Sequence, residues 1–192
     1  MNWTVPGTVL QIPREEADQV EEKILSMFLA GGIALGQVAN ITGLETHTVQ
    51  NWVKRGFLTP PEQKRYSVTQ LCRILNINML RATLPLERIC GLLSYINGRL
   101  DDTADDIIDD AKLYFLFVRL AARAKQLEEP GQWECAMEEA LADYQEPVPG
   151  ARKRVENALR VMLTAWIAAR MRQEAERQLQ LLDEEQEKEN QV

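Results

Sequence analysis

The stretch Gly43-Leu44-Glu45-Thr46-His47-Thr48-Val49-Gln50-Asn51-Trp52-Val53-Lys54-Arg55-Gly56 reads as a tight turn followed by a helix with two unlike faces. Ahead of it, Leu35, Val38, Ala39 and Ile41 recur at helical spacing, so a short helix leads into the turn. Gly43 can take the positive φ that ends such a helix sharply. Thr46 is expected to cap the next helix, its hydroxyl accepting an amide that would otherwise be unpaired. On that helix Val49, Trp52 and Val53 share one face, while His47, Gln50, Asn51 and Lys54 share the opposite one. An apolar back with amides and a cation in front suits a helix that reads base edges. Gln and Asn pair bidentately with adenine, and Lys reaches guanine or phosphate.

Working outward, Gly56-Phe57-Leu58-Thr59-Pro60-Pro61-Glu62-Gln63-Lys64-Arg65-Tyr66 cannot continue the helix, because a glycine and two prolines interrupt it. It ends in a basic-aromatic cluster. Ser67 and Gln70 then stand at capping-box spacing and open a third helix through about Arg81. Pro85 starts a fourth, ending near Gly98. Helix, turn, helix, basic wing, helix, helix is the order of a winged helix-turn-helix.

From Gly43 to Leu58 the chain resembles the start of the MerR superfamily DNA-binding domain, including the spacing between Gly43 and Gly56. Lys64-Arg65-Tyr66-Ser67 is similar to the end of that family's wing, and Leu84-Pro85-Leu86-Glu87-Arg88-Ile89 to its next helix start. The resemblance covers about a third of the chain. MerR relatives usually carry Arg where this chain has His47 and Gln50, and Tyr where it has Asn51 and Trp52, so this reading face is less cationic. The fuller chain also resembles a bacterial family known only as a domain of unknown function, with a MerR-like head and a helical tail. That second resemblance implies no activity.

The 192 residues suit one or two compact domains, and 45% hydrophobic with 27% charged content is ordinary for a globular chain. The start lacks a basic leader and a long apolar run, so a cytoplasmic location and no membrane partner are expected. Cys72, Cys90 and Cys135 form no CxxC pair and read as reduced thiols in helices. The net charge of −7 is unevenly spread: residues 31–100 hold two Lys and six Arg against three Glu, a net +5 that leaves −12 elsewhere. A basic head on an acidic body is the electrostatic footprint of a nucleic-acid-binding module joined to something else.

Three regions are therefore expected: an arm and helix over 1–32, the winged helix-turn-helix over 33–100, and an acidic connector with a helical region over 101–192. Pro13 is read as the first residue of a helix to about Ala30, with Val20, Ile24, Met27 and Phe28 as its apolar stripe. It is expected to pack on the head or on a partner subunit. The aspartates of 101–110 fail the EF-hand pattern, because Asp106 and Lys112 stand where Gly and Glu belong. They read as a solvated connector capping the next helix, with no metal site. Further helices are expected over Leu113–Leu127 and Gln132–Tyr144, with Pro130-Gly131 as a break between them. No breaker appears from Ala151 to about Lys188, which allows a single helix of up to ~38 residues and ~57 Å. Val155, Leu159, Met162, Trp166 and Ala169 make an a/d seam along its first half, suited to dimerisation or to packing within one subunit.

The expected class is thus mostly all-α, with a MerR-like winged helix-turn-helix between an N-terminal helix and a C-terminal helical domain. The expected function is sequence-specific binding of double-stranded DNA by a homodimer that regulates transcription. Thr46, His47, Thr48, Gln50 and Asn51 would face the groove. Lys54, Arg55, Lys64 and Arg65 would take phosphates, and Tyr66 would either add a hydroxyl contact or brace the wing. A small-molecule effector could occupy the tail, as the resemblance implies. No cofactor is called for, and no nucleophile–base set, phosphate loop or metal spacing points to an enzyme. The competing reading is a protein-interaction adaptor that keeps the winged fold without binding DNA.

Overall fold

Over residues 2–100, 105–124 and 130–189, which the computed structural model describes, eight α-helices and four short strands form. The N-terminal arm is a hairpin in which Asn2–Thr4 (β1) pairs antiparallel with Gln11–Pro13 (β2). Gly7 is required in its loop: φ is +74°, and a Cβ would stand 2.4 Å from the Leu75 carbonyl oxygen. The helix expected from Pro13 to Ala30 is instead two pieces. Arg14–Gln19 winds as a 3-10 turn, a frequent form at helix starts, and Val20–Ser26 (α1) alone is α-helical. Gly31 and Gly32 then reverse the chain at φ of +81° and +84°.

The remaining elements, in chain order, are Ile33–Ala34 (β3), Leu35–Thr42 (α2), Thr46–Lys54 (α3), Arg65–Tyr66 (β4), Val68–Leu80 (α4), Leu86–Asn97 (α5), Asp110–Arg123 (α6), Pro130–Ala140 (α7) and Ala151–Glu189 (α8). Helix α4 is the hub. Apolar residues surround it on all sides, and it packs on α2, α5, α6 and α8. Its start is the capping box read from the sequence: Ser67 Oγ accepts from Gln70 N (3.1 Å), and Gln70 Oε1 accepts from Ser67 N (2.9 Å). Helix α1 buries Val20 and Ile24 and packs on α6 of the same chain, while Met27 is turned outward. One continuous cluster of buried side chains runs from Trp3 to Trp166.

The connector is less solvated than expected. Ile107 and Ile108 are buried, and Asp109 caps α6 by accepting from Ala111 N (2.8 Å) and Lys112 N (2.9 Å). Asp110 is buried too, paired with Arg73 at 3.0 Å. Asp101 and Asp102, and the expected end of the α6 helix at Leu127, lie outside the described residues. Pro130-Gly131 does not break the chain but opens α7, because proline at a first helical position sacrifices no helical hydrogen bond. Helix α7 ends at Ala140 rather than Tyr144, whose hydroxyl donates to the Ile107 carbonyl (2.6 Å).

Helix α8 runs 39 residues, a rod of about 58 Å. The Glu146 carboxylate caps its start, accepting from Gly150 N (3.0 Å) and Arg152 N (2.9 Å). The seam Val155, Leu159, Met162, Trp166 and Ala169 is buried against α4, α5 and α6, and Trp166 meets Phe117 edge-to-face at 6.1 Å. Of the two uses expected for that seam, packing within one subunit is the one observed. Beyond Ala169 the helix projects, with Met171, Leu179 and Leu182 exposed. Among the described residues no helix is long and apolar enough to cross a membrane.

Candidate nucleic-acid interface

The turn between α2 and α3 is pinned from both sides. Gly43 closes α2 at φ +70°. Thr42 Oγ1 donates to the Val38 carbonyl (2.8 Å) and accepts from Leu44 N (3.1 Å), and Leu44 is buried beneath. The cap of α3 differs from expectation: Thr46 is the first helical residue, and Glu45 takes the cap position with no side-chain bond. The Glu45 carbonyl accepts from Thr48 N (2.9 Å), so the backbone itself turns the chain, and Thr46 is exposed.

Val49 and Trp52 anchor α3 in the core, at 0% and 4% exposure. His47, Gln50, Asn51 and Lys54 are exposed on the other side together with Thr46, while Thr48 is half-buried. The four side chains expected on one face do share it.

The cations near this face are not equivalent. Arg55 donates to Glu87 of α5 at 2.7 Å and lies over the Phe57 ring at 4.6 Å. Its pairing holds the Glu87 carboxyl below the usual range, after a backbone hydrogen bond that contributes more. Arg65 Nη1 donates to the Gly32 carbonyl (2.9 Å). Lys54 and Lys64 make no ion pair among the described residues.

Lys64 sits at a strained tip. Arg65 N donates to the Glu62 carbonyl (2.8 Å) across a two-residue turn whose centre, Gln63 and Lys64, has φ of +47° and +65°. That left-handed turn ordinarily takes Asn or Gly, so two long side chains are held there at a conformational cost. β4 pairs antiparallel with β3, Tyr66 opposite Ile33 and Arg65 opposite Ala34. Of the two roles read for Tyr66, the structure gives the brace: its side chain is buried at 2% exposure, and burial raises its hydroxyl pKa. Strand alternation explains this, because outward Arg65 forces Tyr66 inward.

Sequence reading missed three positioning residues. Gln70 serves more than its cap: its Nε2 donates to Thr59 Oγ1 (2.9 Å) and to the Thr59 and Pro60 carbonyls (3.1 and 3.0 Å), fixing the proline loop. Arg73 Nε donates to the Phe57 carbonyl (3.0 Å), tying the exit of α3 to α4. Glu87 is the third, through Arg55. An arginine inside Leu71-Cys72-Arg73-Ile74-Leu75 was the available signal, since a buried guanidinium needs a counter-ion.

No solved structure matches the chain. Over 86 residues it is 29% identical to "Uncharacterized protein YkrK" of Bacillus subtilis (strain 168), an alignment covering 43% of this chain and 37% of that relative. The chain thus spans little more than a third of the relative's length. Residues 18–117, from the 3-10 turn into α6, match the family described as "Domain of unknown function (DUF1836)". The chain belongs to the DUF1836 family.

Proposed function

We propose that the protein is a sequence-specific DNA-binding regulator with a MerR-like winged helix-turn-helix head. Helix α3 enters the major groove, and the 62–65 turn of the wing rests on phosphates. The observation that carries the reading is the face of α3, where His47, Gln50, Asn51 and Lys54 stand exposed above a buried Val49 and Trp52. Gln50 and Asn51 are the base-reading residues, and Lys54 and Lys64 the phosphate contacts. Arg55 and Arg65 join them once the Glu87 and Gly32 contacts exchange for phosphate. The protein acts as a homodimer, and the exposed Met171, Leu179 and Leu182 on projecting α8 offer a surface for that association.

The adaptor reading draws on one specific observation: Arg55 is already neutralised by Glu87, so the face carries less available positive charge than the sequence implies. Two pairs of substitutions test the proposal. Gln50→Ala with Asn51→Ala is expected to relax sequence preference, at about 1–3 kcal/mol per lost base contact. Lys64→Ala with Arg65→Ala is expected to weaken all sequences alike. If all four changes leave binding untouched in a gel-shift titration, the docking face is wrong.

A further inference from the structure

Past Arg172, whose guanidinium donates to the Ala82 carbonyl (3.0 Å), every side chain of α8 through Gln186 is exposed. A helical stretch of that length gains little from propensity alone, and in water it is held by burying an apolar face. The buried seam does not supply one, because its spacing continues to Gln173 and Glu176. A second stripe does. Val161, Ala168, Ala175 and Leu182 stand seven residues apart with Met171 near their centre, and all five are exposed.

One end of this stripe borders a groove. Leu84 and Pro85 before α5, Gly91 and Leu92 within it and Val161 of α8 line an open depression of about 670 Å³. A Cβ added at Gly91 would meet nothing, so the lining leaves room there. Glu87, on the same lining, is taken by Arg55 (2.7 Å). Arg88, also on it, makes no ion pair among the described residues. At the other end of the stripe, beside Leu182, Asp183, Glu184 and Glu185 are exposed and equally without ion pairs among the described residues. About 32 Å of helix separates the two ends.

We propose that the groove is filled by the tip of α8 from a second copy of this chain, the two helices running antiparallel. The inference rests on the homodimer reading above and adds its geometry. The stripe reads alike from either end, with a large apolar residue outermost and alanine within. A two-fold axis beside Met171 therefore sets Val161 against the partner's Leu182 and Ala168 against the partner's Ala175, twice over. The same pairing brings the three unpaired carboxylates of one tip to the Arg88 side of the other copy's groove. Parallel pairing would instead set those carboxylates against their own copies and leave both grooves empty. Charge decides the orientation.

Light scattering of the full chain gives the mass, and single cysteines then give the orientation, in chains that also carry Cys90→Ser and Cys135→Ser. When the two variants are co-expressed and mildly oxidised, Val161→Cys is expected to cross-link to Leu182→Cys, and neither to its own copy. Leu182→Glu and Arg88→Glu are each expected to weaken the dimer about tenfold or more. Both positions are exposed, so the fold does not depend on them. A monomeric mass overturns the homodimer reading and the proposal together. A dimer in which Leu182→Cys joins its own copy, in which no 161–182 cross-link forms, or whose affinity ignores Leu182→Glu overturns the proposal alone.

Discussion

Helices α3 and α4 lie one loop apart and are built on opposite terms. In α4 nine of 13 residues are buried, among them Arg73 and Asn76, whereas α3 buries only Val49 and Trp52 of its nine. The hub has almost no position free to vary, because every direction meets another element. The outward helix needs two anchors and leaves the rest of its surface to be chosen for something other than stability. Changes in α4 should therefore unfold the protein, and changes on the outer face of α3 should alter what it recognises.

The sharpest way to break that contrast is Arg73→Met. Asp110 would be left buried and unpaired, and about 3–5 kcal/mol of unfolding free energy should be lost in urea titrations. Adding Asp110→Leu should restore most of it, because a matched apolar pair replaces a matched ionic one. Equal losses in single and double variants would show that the pair does not organise the junction. Trp52→Ala should come next, costing about 3 kcal/mol or more, as α3 depends on few anchors. Gln50→Ala and Asn51→Ala, on the same helix, should stay within about 0.5 kcal/mol of the parent.

Acid should act on the connector at Asp106. Burial first, and then Asp110, Asp105 and Asp109, push the Asp106 carboxyl up to about 6 in the folded chain, against about 3.9 unfolded. The folded state thus binds more protons between those values, and this group's contribution to stability falls as pH rises through the window. Asp106→Asn should accordingly raise the melting temperature more at pH 7.5 than at pH 4.5, where only the lower part of the window has been crossed. A rise of the same size at both pH values would place the cause elsewhere. Smallest of all, Lys64→Gly should relieve the left-handed tip and gain up to about 1 kcal/mol while weakening DNA binding.

The features legible in the sequence were those set by near neighbours. Gly43, the Ser67–Gln70 box, the Pro85–Gly98 helix and the long uninterrupted α8 each depend on residues within a few positions of one another. The amphipathic split of α3 was legible for the same reason, since a helix places its faces by spacing alone. What escaped depends on distant partners. Arg73 meets Asp110 across 37 positions, and Arg55 meets Glu87 across 32. The apolar run around Arg73 signals a buried guanidinium but not its partner, nothing local marks the second pair, and that pair engages a cation that the sequence seemed to offer freely. Thr46 was misplaced by one residue because any threonine near a helix start resembles a cap, and only the backbone of Glu45 decides. The α8 seam had a pattern that two destinations satisfy equally, and the core chose between them.

Selection of bound fragments from a random DNA pool, followed by affinity of the winner across salt concentrations, tests the central claim most directly. The account predicts a pseudo-palindromic winner and a slope of log affinity on log salt near about −7, for about eight phosphate contacts per dimer. Absence of enrichment together with absence of salt-dependent binding would contradict it, and would make the outward face of α3 a protein-docking surface instead.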